Sequence, residues 1–486
     1  MTRRRAGAIL FVASFLLLAF IGRAVETDKP NILFILCDDL GINDLHCYGR
    51  LDHHTPNLDK LATEGTRFTS AYCALSICSP SRAAILTGKS PARLHLTTFL
   101  PGRKDCATQK LLQPEIEMQV PLTEKMIPRY LKAAGYITGA FGKWHVGGAG
   151  YGPLEQGFDF YHAGKAVTTP SPTEGGKGEY DLTRAAIGFM RTNQGRPFFI
   201  YLAHNAPHIP YNAQKKRIEN NAKAFEPVYA GVIETLDDTV GQLLAELEAL
   251  KLTEKTIVIF TSDNGGLHVP EGPHPKVTHN TPYRAGKGFL YQGGLRIPLI
   301  ARWPGHVPAG KVMDEPVINT DWLPTLLELI QEPIPGQLDG VSFAGCLLGK
   351  SAAPQRALFW HFPHYTNQGS CPSGAMREGR WMLVEYYEND KRELYDLATD
   401  LSEKQDVSSR HPDQVEKMHS ALDAWRGDLQ VQHNRPNPDF DPVKSRPLYI
   451  DVDASRFDPA KADKKQWQTM WSWREKMNAA LREKTK

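Results

Sequence analysis

The sequence lacks the marks of a small disulfide-stapled, zinc-stabilised or nucleic-acid-binding protein. Its 486 residues contain seven cysteines, and none lies in a CxxC or cysteine–histidine spacing typical of structural zinc sites. The net charge of +3 provides no basic excess for a polyanion-binding surface. No internal repeat is evident, and a chain of this length buries a core without disulfide bonds. These absences favour a globular protein with one large domain and a smaller one.

The first 24 residues differ in composition from the rest of the chain. Three arginines at positions 3–5 precede an apolar run over 6–21, and small residues follow up to Ala24, a pattern typical of a signal peptide. The alternative is a membrane anchor, but the run is short for a span. Residues 1–24 carry four of the 57 basic residues and none of the 54 acidic ones, so cleavage leaves a nearly neutral chain, which argues against nucleic acid as a partner. We therefore expect a secreted or periplasmic protein without a stable membrane anchor.

Four short apolar runs predict buried parallel strands, and helical patterns lie between them. The runs cover 31–37, 197–203, 256–262 and 297–303, and the helical patterns cover 57–65, 122–135, 179–192, 225–250 and 320–330. This alternation predicts an α/β fold, in which ligands collect beyond the carboxyl ends of the strands. Three of the four runs lead into Asp, Asn or His at that edge.

The pattern changes after about residue 350. Residues 379–387 and 392–397 predict two antiparallel strands, and 411–429 predicts a helix, which together indicate a small α+β subdomain. The expected organisation is a signal peptide, a catalytic domain, an antiparallel-sheet subdomain and a tail that ends in a helix. The expected bounds of these four parts are 1–24, 28–350, 351–430 and 431–486.

Two clusters of oxygen ligands follow strands at the same edge of the predicted sheet. Asp38 and Asp39 come after the first run, and Asp263 and Asn264 come after the third. Each cluster has an ordinary alternative, because a carboxylate pair at a strand end can face water and Asp-Asn-Gly is a common turn. Together they favour a metal site, and oxygen ligands indicate Ca²⁺ or Mg²⁺ over Zn²⁺.

The stretch "CSPSRAAILTG" places Cys78 near the start of a predicted helix that ends at Gly88. Cys78 could be half of a disulfide, a buried small side chain or a reactive centre. The helix N-terminus and Arg82 would stabilise an anionic substrate or an anionic form of residue 78. A cysteine phosphatase needs an arginine six positions after its cysteine, where this chain has Ala84, so that chemistry does not fit.

Four further residues add cations and proton-transfer groups. Lys143 and His145 follow a short strand-like segment, His208 follows the second apolar run, and Lys287 lies in a glycine-rich loop. Singly, each is explained as a surface charge, a packed ring or part of a turn. Around an oxygen-bound metal, the four together suit cleavage of an ester of a tetrahedral oxyanion, either phosphate or sulfate.

These motifs resemble the type I sulfatases, the formylglycine-dependent family of the alkaline phosphatase superfamily. "CSPSRAAILTG" resembles the signature C-x-P-S-R-x-x-x-L-T-G, and "GYITGAFGKWH" resembles the second signature. The paired aspartates, "APHIP", "SDNG" and "GKGFLYQGGLRIP" follow in the family's order, over roughly residues 29–430. The resemblance implies an alkaline-phosphatase-like mixed, mostly parallel sheet flanked by helices, a small α+β C-terminal subdomain and sulfuric ester hydrolase activity.

The resemblance also implies a chemical role for residue 78. A maturation enzyme that recognises Pro80 and Arg82 would oxidise Cys78 to formylglycine (3-oxoalanine). One hydroxyl of the hydrated aldehyde would attack sulfur and release the alcohol. The second hydroxyl would then let the adduct collapse, which expels sulfate and restores the aldehyde.

The remaining roles follow position by position from the resemblance. The implied Ca²⁺ ligands are Asp38, Asp39, residue 78, Asp263 and Asn264. The other implied active-site residues are Arg82 for holding the hydrated aldehyde, His145 as the base for collapse, and Lys143, His208 and Lys287 for binding sulfate. His208 is also the leading candidate to protonate the leaving oxygen. Gln292 departs from the glutamate expected before the paired glycines, which puts a local loop contact in doubt.

The substrate is less well defined by the sequence. "FWHFPHY" resembles segments of bacterial polysaccharide-degrading members, which favours an exo-acting sulfatase on sulfated glycans of galactose type over one on aryl sulfates. Polar loop residues could bind sugar hydroxyls or simply face water: His53, His54, Arg103, Lys104, His361 and His364. Two alternatives remain, a phosphatase or phosphodiesterase of the same superfamily and a non-catalytic glycan-binding protein.

Overall fold

A computed structural model describes residues 29–482, and the predicted signal peptide over 1–24 lies outside these residues. The strands of the described chain are β1 (Asn31–Asp38), β2 (Thr66–Phe68), β3 (Ala71–Tyr72), β4 (Leu111–Leu112), β5 (Ile137–Gly142), β6 (Phe160–His162), β7 (Phe198–Pro207), β8 (Thr256–Ser262), β9 (Leu299–Arg302), β10 (Lys311–Met313), β11 (Val317–Ile318), β12 (Leu358–Phe362), β13 (Ser373–Glu378), β14 (Trp381–Tyr386), β15 (Arg392–Asp396) and β16 (Arg435–Pro436). The predicted apolar runs are therefore strands.

Every predicted helix is present, with ends that differ by up to five residues. The helices of the described chain are α1 (Pro56–Glu64), α2 (Cys78–Thr87), α3 (Ile127–Ala133), α4 (Glu179–Asn193), α5 (Lys215–Asn220), α6 (Pro227–Ala249), α7 (Gln292–Leu295), α8 (Trp322–Leu329), α9 (Ala344–Leu347), α10 (Pro412–Leu429), α11 (Pro442–Tyr449) and α12 (Lys464–Arg482). The short helices α5, α7, α9 and α11, which the sequence pattern does not predict, are also present. None of the helices within residues 29–482 has the length and apolar character needed to cross a membrane.

An eight-stranded mixed sheet forms the core of the larger part of the chain, which lies before β12. Its strand order is β10-β2-β9-β8-β1-β7-β5-β6, and β1 pairs in parallel with both β7 and β8. All eight residues of β1 are buried, which explains its continuous apolar sequence. The expected mixed, mostly parallel sheet is confirmed. The expectation that all four runs are parallel strands is wrong for β9, which pairs antiparallel with β8 and β2.

The register of this sheet brings the chemically important loops together. Asp38 lies opposite Pro207, and Cys37 lies opposite Ser262. Gly142, the last residue of β5, lies opposite Ala203 of β7. Because these strands are parallel and end side by side, the residues that follow them leave the sheet at one edge.

A smaller antiparallel sheet follows in the chain, and together with α10 it forms the smaller part. Its order is β12-β13-β14-β15, and α10 packs on it through a core of six buried side chains: Met376, Leu383, Leu394, Val407, Met418 and Leu422. The predicted strand pair of this region and the helices α10 and α12 are present. The short strand β16 pairs with β4, so the tail returns to a loop of the larger part. The expected domain bounds stay predictions.

Candidate active site

Cys78 is the first residue of α2, and the whole helix is buried. The Cys78 thiol lies 3.7 Å from Asp39 Oδ1 and is 2% exposed. Burial raises the pKa of this thiol and outweighs the lowering effect of Lys143 and Lys287. Burial thus disfavours an anionic thiol at residue 78, and the expected stabilisation of an anionic substrate by the helix terminus and Arg82 stays a prediction.

Buried carboxylates surround Cys78 at the edge of the sheet. Asp39 Oδ1 accepts a hydrogen bond from Asn264 Nδ2 at 2.8 Å, and Asp263 Oδ1 accepts one from the Asp39 backbone at 3.1 Å. Asp39 has a left-handed backbone with φ of 65°, a conformation that non-glycine residues seldom adopt outside constrained sites. The four predicted oxygen ligands are therefore close together.

The carboxylate cluster, which consists of Asp38, Asp39, Asp263 and the neighbouring amide of Asn264, fits a hard divalent cation. Asp38 Oδ1 and Asn264 Oδ1 are buried, and neither has a hydrogen-bond partner among the described residues. Burial, together with the nearby charges of Asp38 and Asp39, raises the pKa of Asp263 to about 7 despite the opposing charge of Arg82. Unsatisfied oxygens and crowded carboxylates are what a cation with oxygen ligands would stabilise.

A metal-compatible grouping within residues 29–482 overlaps the predicted ligand set only in part. Potential ligand atoms of Asp38, Asp39, Cys78 and His208 all lie within 4.8 Å of one another. In this structure Asp263 Oδ2 instead accepts a hydrogen bond from Arg82 Nε at 2.8 Å. Residue 78 is thus placed among the oxygen ligands, as the resemblance implies, and His208 adjoins them.

Three cations balance the carboxylates. Lys143 Nζ donates to Asp38 Oδ2 and Lys287 Nζ donates to Asp39 Oδ2, each at 2.7 Å. The third is Arg82, which is fully buried and also donates to the Lys143 carbonyl at 3.0 Å. Burial alone would raise the pKa of Asp38, but Lys143 and the other nearby cations lower it well below its usual range. Both lysines therefore lie where they could meet an anion beside Cys78.

His145 has the geometry of a general base. Its Nε2 lies 2.9 Å from the Leu100 carbonyl oxygen, which can only accept, so Nε2 carries the proton of the neutral ring. Its Nδ1 is buried and has no partner among the described residues. Burial and the charge of Lys143 lower the pKa of His145 to about 4, so the ring is neutral with a free lone pair on Nδ1.

His208 contacts the same carboxylates. Its Nε2 lies 3.6 Å from Asp39 Oδ2, and its Nδ1 lies 2.6 Å from the Ile209 carbonyl oxygen. Burial and the charge of Lys287 lower the pKa of His208, so the free protein holds it neutral. All six predicted catalytic residues are accordingly gathered around the carboxylate cluster.

His361 and His364 are not brought to this cluster. His361 Nδ1 lies 2.7 Å from the Tyr387 hydroxyl and its Nε2 lies 2.9 Å from the Gln432 carbonyl oxygen. His364 Nε2 lies 2.8 Å from the Thr97 hydroxyl, and its Nδ1 contacts Gln113. Both rings are buried with both nitrogens engaged, which counts against the predicted substrate-binding role.

The other polar loop residues are divided between burial and solvent. His53 is buried against the Asp44 carbonyl oxygen, and Arg103 donates to the Thr366 carbonyl at 2.9 Å. His54 and Lys104 are exposed. None of these four contacts the carboxylate cluster in the described structure.

Gln292, which stands where the resemblance implies a glutamate, forms hydrogen bonds within its own loop and beyond it. Its Oε1 accepts from the Tyr72 hydroxyl at 2.9 Å and from Arg296 Nε at 2.6 Å. Its backbone amide, at the start of α7, donates to the carboxylate of Glu403 at 2.7 Å. The loop is therefore held by an amide oxygen and by a glutamate of the smaller part.

Two charged residues near the cluster were missed by the sequence analysis. Lys177 is 2% exposed, and the charges of Asp38 and Asp39 partly oppose the lowering of its pKa by burial. The charge of Glu271 similarly contributes to raising the pKa of Lys287. Both lie in irregular, glycine-containing loops, where no periodic pattern singles out one polar residue.

Comparisons with known proteins match most of the chain. A family profile described as Sulfatase matches residues 30–332, and one described as N-sulphoglucosamine sulphohydrolase, C-terminal, matches residues 285–428. N-acetylgalactosamine-6-sulfatase of Canis lupus familiaris is 33% identical over 71% of this chain and 70% of its own. Arylsulfatase A of Homo sapiens is 34% identical over 73% of this chain and 74% of its own.

A solved structure extends the similarity to nearly the whole chain. The crystal structure of Ps i-CgsB in complex with k-i-k-neocarrahexaose aligns with a TM-score of 0.71 at 27% identity, covering 94% of this chain and 100% of that one. Together with the match over residues 30–332, this similarity establishes both the fold and the reaction class. The chain therefore belongs to the sulfatase family and is a sulfuric ester hydrolase with the alkaline-phosphatase-like fold.

Proposed function

We propose that the chain removes sulfate from sulfated saccharides by means of a formylglycine made from Cys78 and one Ca²⁺ ion. The observation that carries this proposal is the placement of Cys78 between a cluster of oxygen ligands and two lysines, with its Sγ 3.7 Å from Asp39. A protonated, buried thiol is a poor nucleophile. Its conversion to a hydrated aldehyde would supply a hydroxyl nucleophile at the same position.

The proposed cation ligands are residue 78, Asp38, Asp39, Asp263 and Asn264. When bound, Ca²⁺ would supply positive charge that polarises the sulfate ester and favours the deprotonated nucleophile. The buried oxygens Asp38 Oδ1 and Asn264 Oδ1, which have no hydrogen-bond partner among the described residues, support this assignment, because hard oxygen atoms are preferred by Ca²⁺.

The proton-transfer roles follow from the two histidines. His145 presents its free Nδ1 as the base that accepts a proton during collapse of the adduct. His208 protonates the leaving oxygen. It is neutral in the free protein, and the negative charge of a bound sulfate ester would raise its pKa and favour the protonated form.

The cations have complementary roles. Lys143 and Lys287 would exchange their carboxylate contacts in part for sulfate oxygens, which develop charge in the transition state. Arg82 stays between Asp263 and Asp38, where it fixes the carboxylates and offsets charge at the hydrated aldehyde.

The substrate assignment to a galactose-type sugar rests on similarity. One relative is named for N-acetylgalactosamine 6-sulfate, and a structural neighbour holds a neocarrahexaose. We propose an exo-acting enzyme on a sulfated sugar of this type, exported by its N-terminal signal and matured by a formylglycine-generating enzyme. Release of sulfate from galactose 6-sulfate, N-acetylgalactosamine 6-sulfate, k-i-k-neocarrahexaose and 4-nitrophenyl sulfate is the direct assay.

The decisive experiment is the mass of the peptide containing residue 78, measured on protein expressed with the maturation enzyme. Formylglycine is lighter than cysteine because oxygen replaces sulfur and two hydrogens are lost. Metal analysis of the same sample is expected to give one Ca²⁺ per chain. An unmodified Cys78 in fully active protein would refute the proposed nucleophile, and two Zn²⁺ with phosphate release would favour a phosphatase instead.

A further inference from the structure

A tight turn from Glu271 to His274 lies beside the sulfate-binding residues. The two residues pair across the turn, and Gly272 adopts φ of 62°. A Cβ added at Gly272 would lie 3.5 Å from the side chain of Ile209, the residue that follows His208. The turn therefore packs against the loop that carries the proposed proton donor.

The Glu271 carboxylate is held from the side of Lys287. Gln368 Nε2 donates to Glu271 Oε2 at 2.5 Å. The other amide atom, Gln368 Oε1, would lie 2.8 Å from a Cβ added at Gly288, which directly follows Lys287. Gln368 is 3% exposed, so a buried neutral amide from the loop after β12 connects Glu271 to the Lys287 loop.

Further contacts fix the turn in place. The Tyr211 backbone amide donates to His274 Nε2 at 2.7 Å. On the outer side, α12 of the tail contributes Trp471 Nε1, which donates to the Pro275 carbonyl at 2.8 Å, and Arg474 Nε, which donates to the Pro270 carbonyl. A turn held from three directions presents its side chains with little loss of entropy on binding.

Glu271 keeps unused acceptor capacity. Among residues 29–482, its Oε1 has no hydrogen-bond partner and its carboxylate has no ion pair. The side chain is half-buried, so it is reachable from solvent. A carboxylate beside a sulfate site repels a second anion, and its favourable partners are neutral donors such as hydroxyl groups.

We propose that Glu271 is a specificity-determining residue whose carboxylate accepts a hydrogen bond from a hydroxyl of the sugar ring that bears the sulfate ester. This inference rests on the proposed function. Gln368 is the positioning residue, because its amide can only donate to the carboxylate and thereby leaves the other oxygen for the sugar. An enzyme built this way selects a hydroxyl-bearing ring over a flat aryl group.

The test compares galactose 6-sulfate with 4-nitrophenyl sulfate, which has no ring hydroxyls. In Glu271→Met, the ratio of kcat/KM for the saccharide to that for the aryl sulfate should fall about 10–100-fold, as expected for a lost hydrogen bond to a charged group. Gln368→Met should lower the ratio in the same direction by a smaller factor. Glu254→Met, at an exposed glutamate before β8, is the matched control and should leave the ratio as in the wild type. A ratio unchanged within about twofold in Glu271→Met overturns the proposal.

Calorimetric binding of unsulfated galactose separates this inference from the reaction itself. The variant Glu271→Met should weaken galactose binding about tenfold or more relative to wild type and to Glu254→Met. If the wild type releases no sulfate but Glu271→Met still loses galactose binding, the proposed function fails, and Glu271 is shown to bind a sugar hydroxyl without a part in sulfate-ester selection. Equal galactose binding by wild type and Glu271→Met overturns the inference even if sulfate is released. Thermal unfolding of each variant checks that the fold is kept.

Discussion

His145 of the carboxylate cluster differs in one property from His361 and His364, which lie in β12 and in the loop after it and are called the small sheet's histidines. Burial lowers the pKa in both regions, to about 4 for His145 and to about 3 for His361 and His364. His361 and His364 use both ring nitrogens in contacts with other residues of the chain. His145 uses Nε2 alone and leaves Nδ1 without a partner among the described residues.

This difference shows that a lowered pKa does not by itself mark a functional histidine. Buried polar groups are normally satisfied, so an unsatisfied one needs an explanation. Among the described residues, the atoms of this cluster without a hydrogen-bond partner include His145 Nδ1, Asp38 Oδ1 and Asn264 Oδ1, and the proposed reaction would give each of these three a partner. His361, in β12, and His364, in the loop after it, instead connect this region to other parts of the chain.

The largest effect is expected at Cys78. Both Cys78→Ala and Cys78→Ser should reduce sulfate release by about 10³-fold or more, because alanine offers no nucleophile and the single hydroxyl of an unoxidised serine cannot expel sulfate from the adduct. Cys47→Ser, at a half-buried cysteine of another loop, is the control and should retain activity. Steady-state sulfate release measures the difference, and full turnover by Cys78→Ala would rule out the proposed chemistry.

The contrast between the two histidine regions can be tested directly by matched substitutions. His145→Gln should lower kcat by about 10²–10⁴-fold, the range for loss of a general base, with little change in stability. His361→Gln should reduce the melting temperature because it disturbs two buried hydrogen bonds, with a far smaller effect on kcat. Equal losses of kcat in the two variants would mean that the free Nδ1 atom does not distinguish the regions.

Much of the cluster could be predicted because its residues follow regular elements. Asp38, His208 and Asp263 adjoin strand ends, and apolar strands are visible in a sequence. The direction of β9 could not be predicted, because a four-residue apolar strand reads the same in parallel and antiparallel pairing.

The rest of the site depends on contacts between side chains that are distant in the sequence, and a sequence pattern does not show such contacts. The polarity of Glu271 and Lys177 is ordinary for loops, and only the fold places them beside Lys287 and the aspartates. The same reasoning explains why the sequence could not show that His361 and His364 are buried with both nitrogens engaged. A polar residue in a loop pattern indicates neither burial nor which atom accepts its hydrogen bond.

The pH dependence of stability should reveal the small sheet's histidines. In the folded chain, the pKa values of His361 and His364 lie near 3. In the unfolded chain they are about 6.5, so the unfolded state binds a proton more readily. The contribution of the two neutral rings to the free energy of unfolding is complete above about pH 6.5. It falls toward pH 3, by up to about 1.4 kcal/mol per pH unit for each ring. The double variant His361→Gln/His364→Gln should therefore lose less melting temperature than wild type between pH 7 and pH 5. Parallel losses would contradict the buried neutral state.

The smallest effect is expected at the outer support of the Glu271 turn. Trp471→Phe keeps a ring on α12 but removes the indole hydrogen bond to the Pro275 carbonyl, so the turn should be less well fixed. The expected result is a rise of about two- to fivefold in KM for galactose 6-sulfate with kcat nearly kept, as for the loss of one neutral hydrogen bond. Trp303→Phe is the matched control, because its indole donates to the Glu254 carbonyl before β8, at the opposite end of that strand from Asp263. If Trp303→Phe raised KM as much as Trp471→Phe, the effect would reflect general loosening of the fold, and the tail would have no particular part in shaping the substrate site.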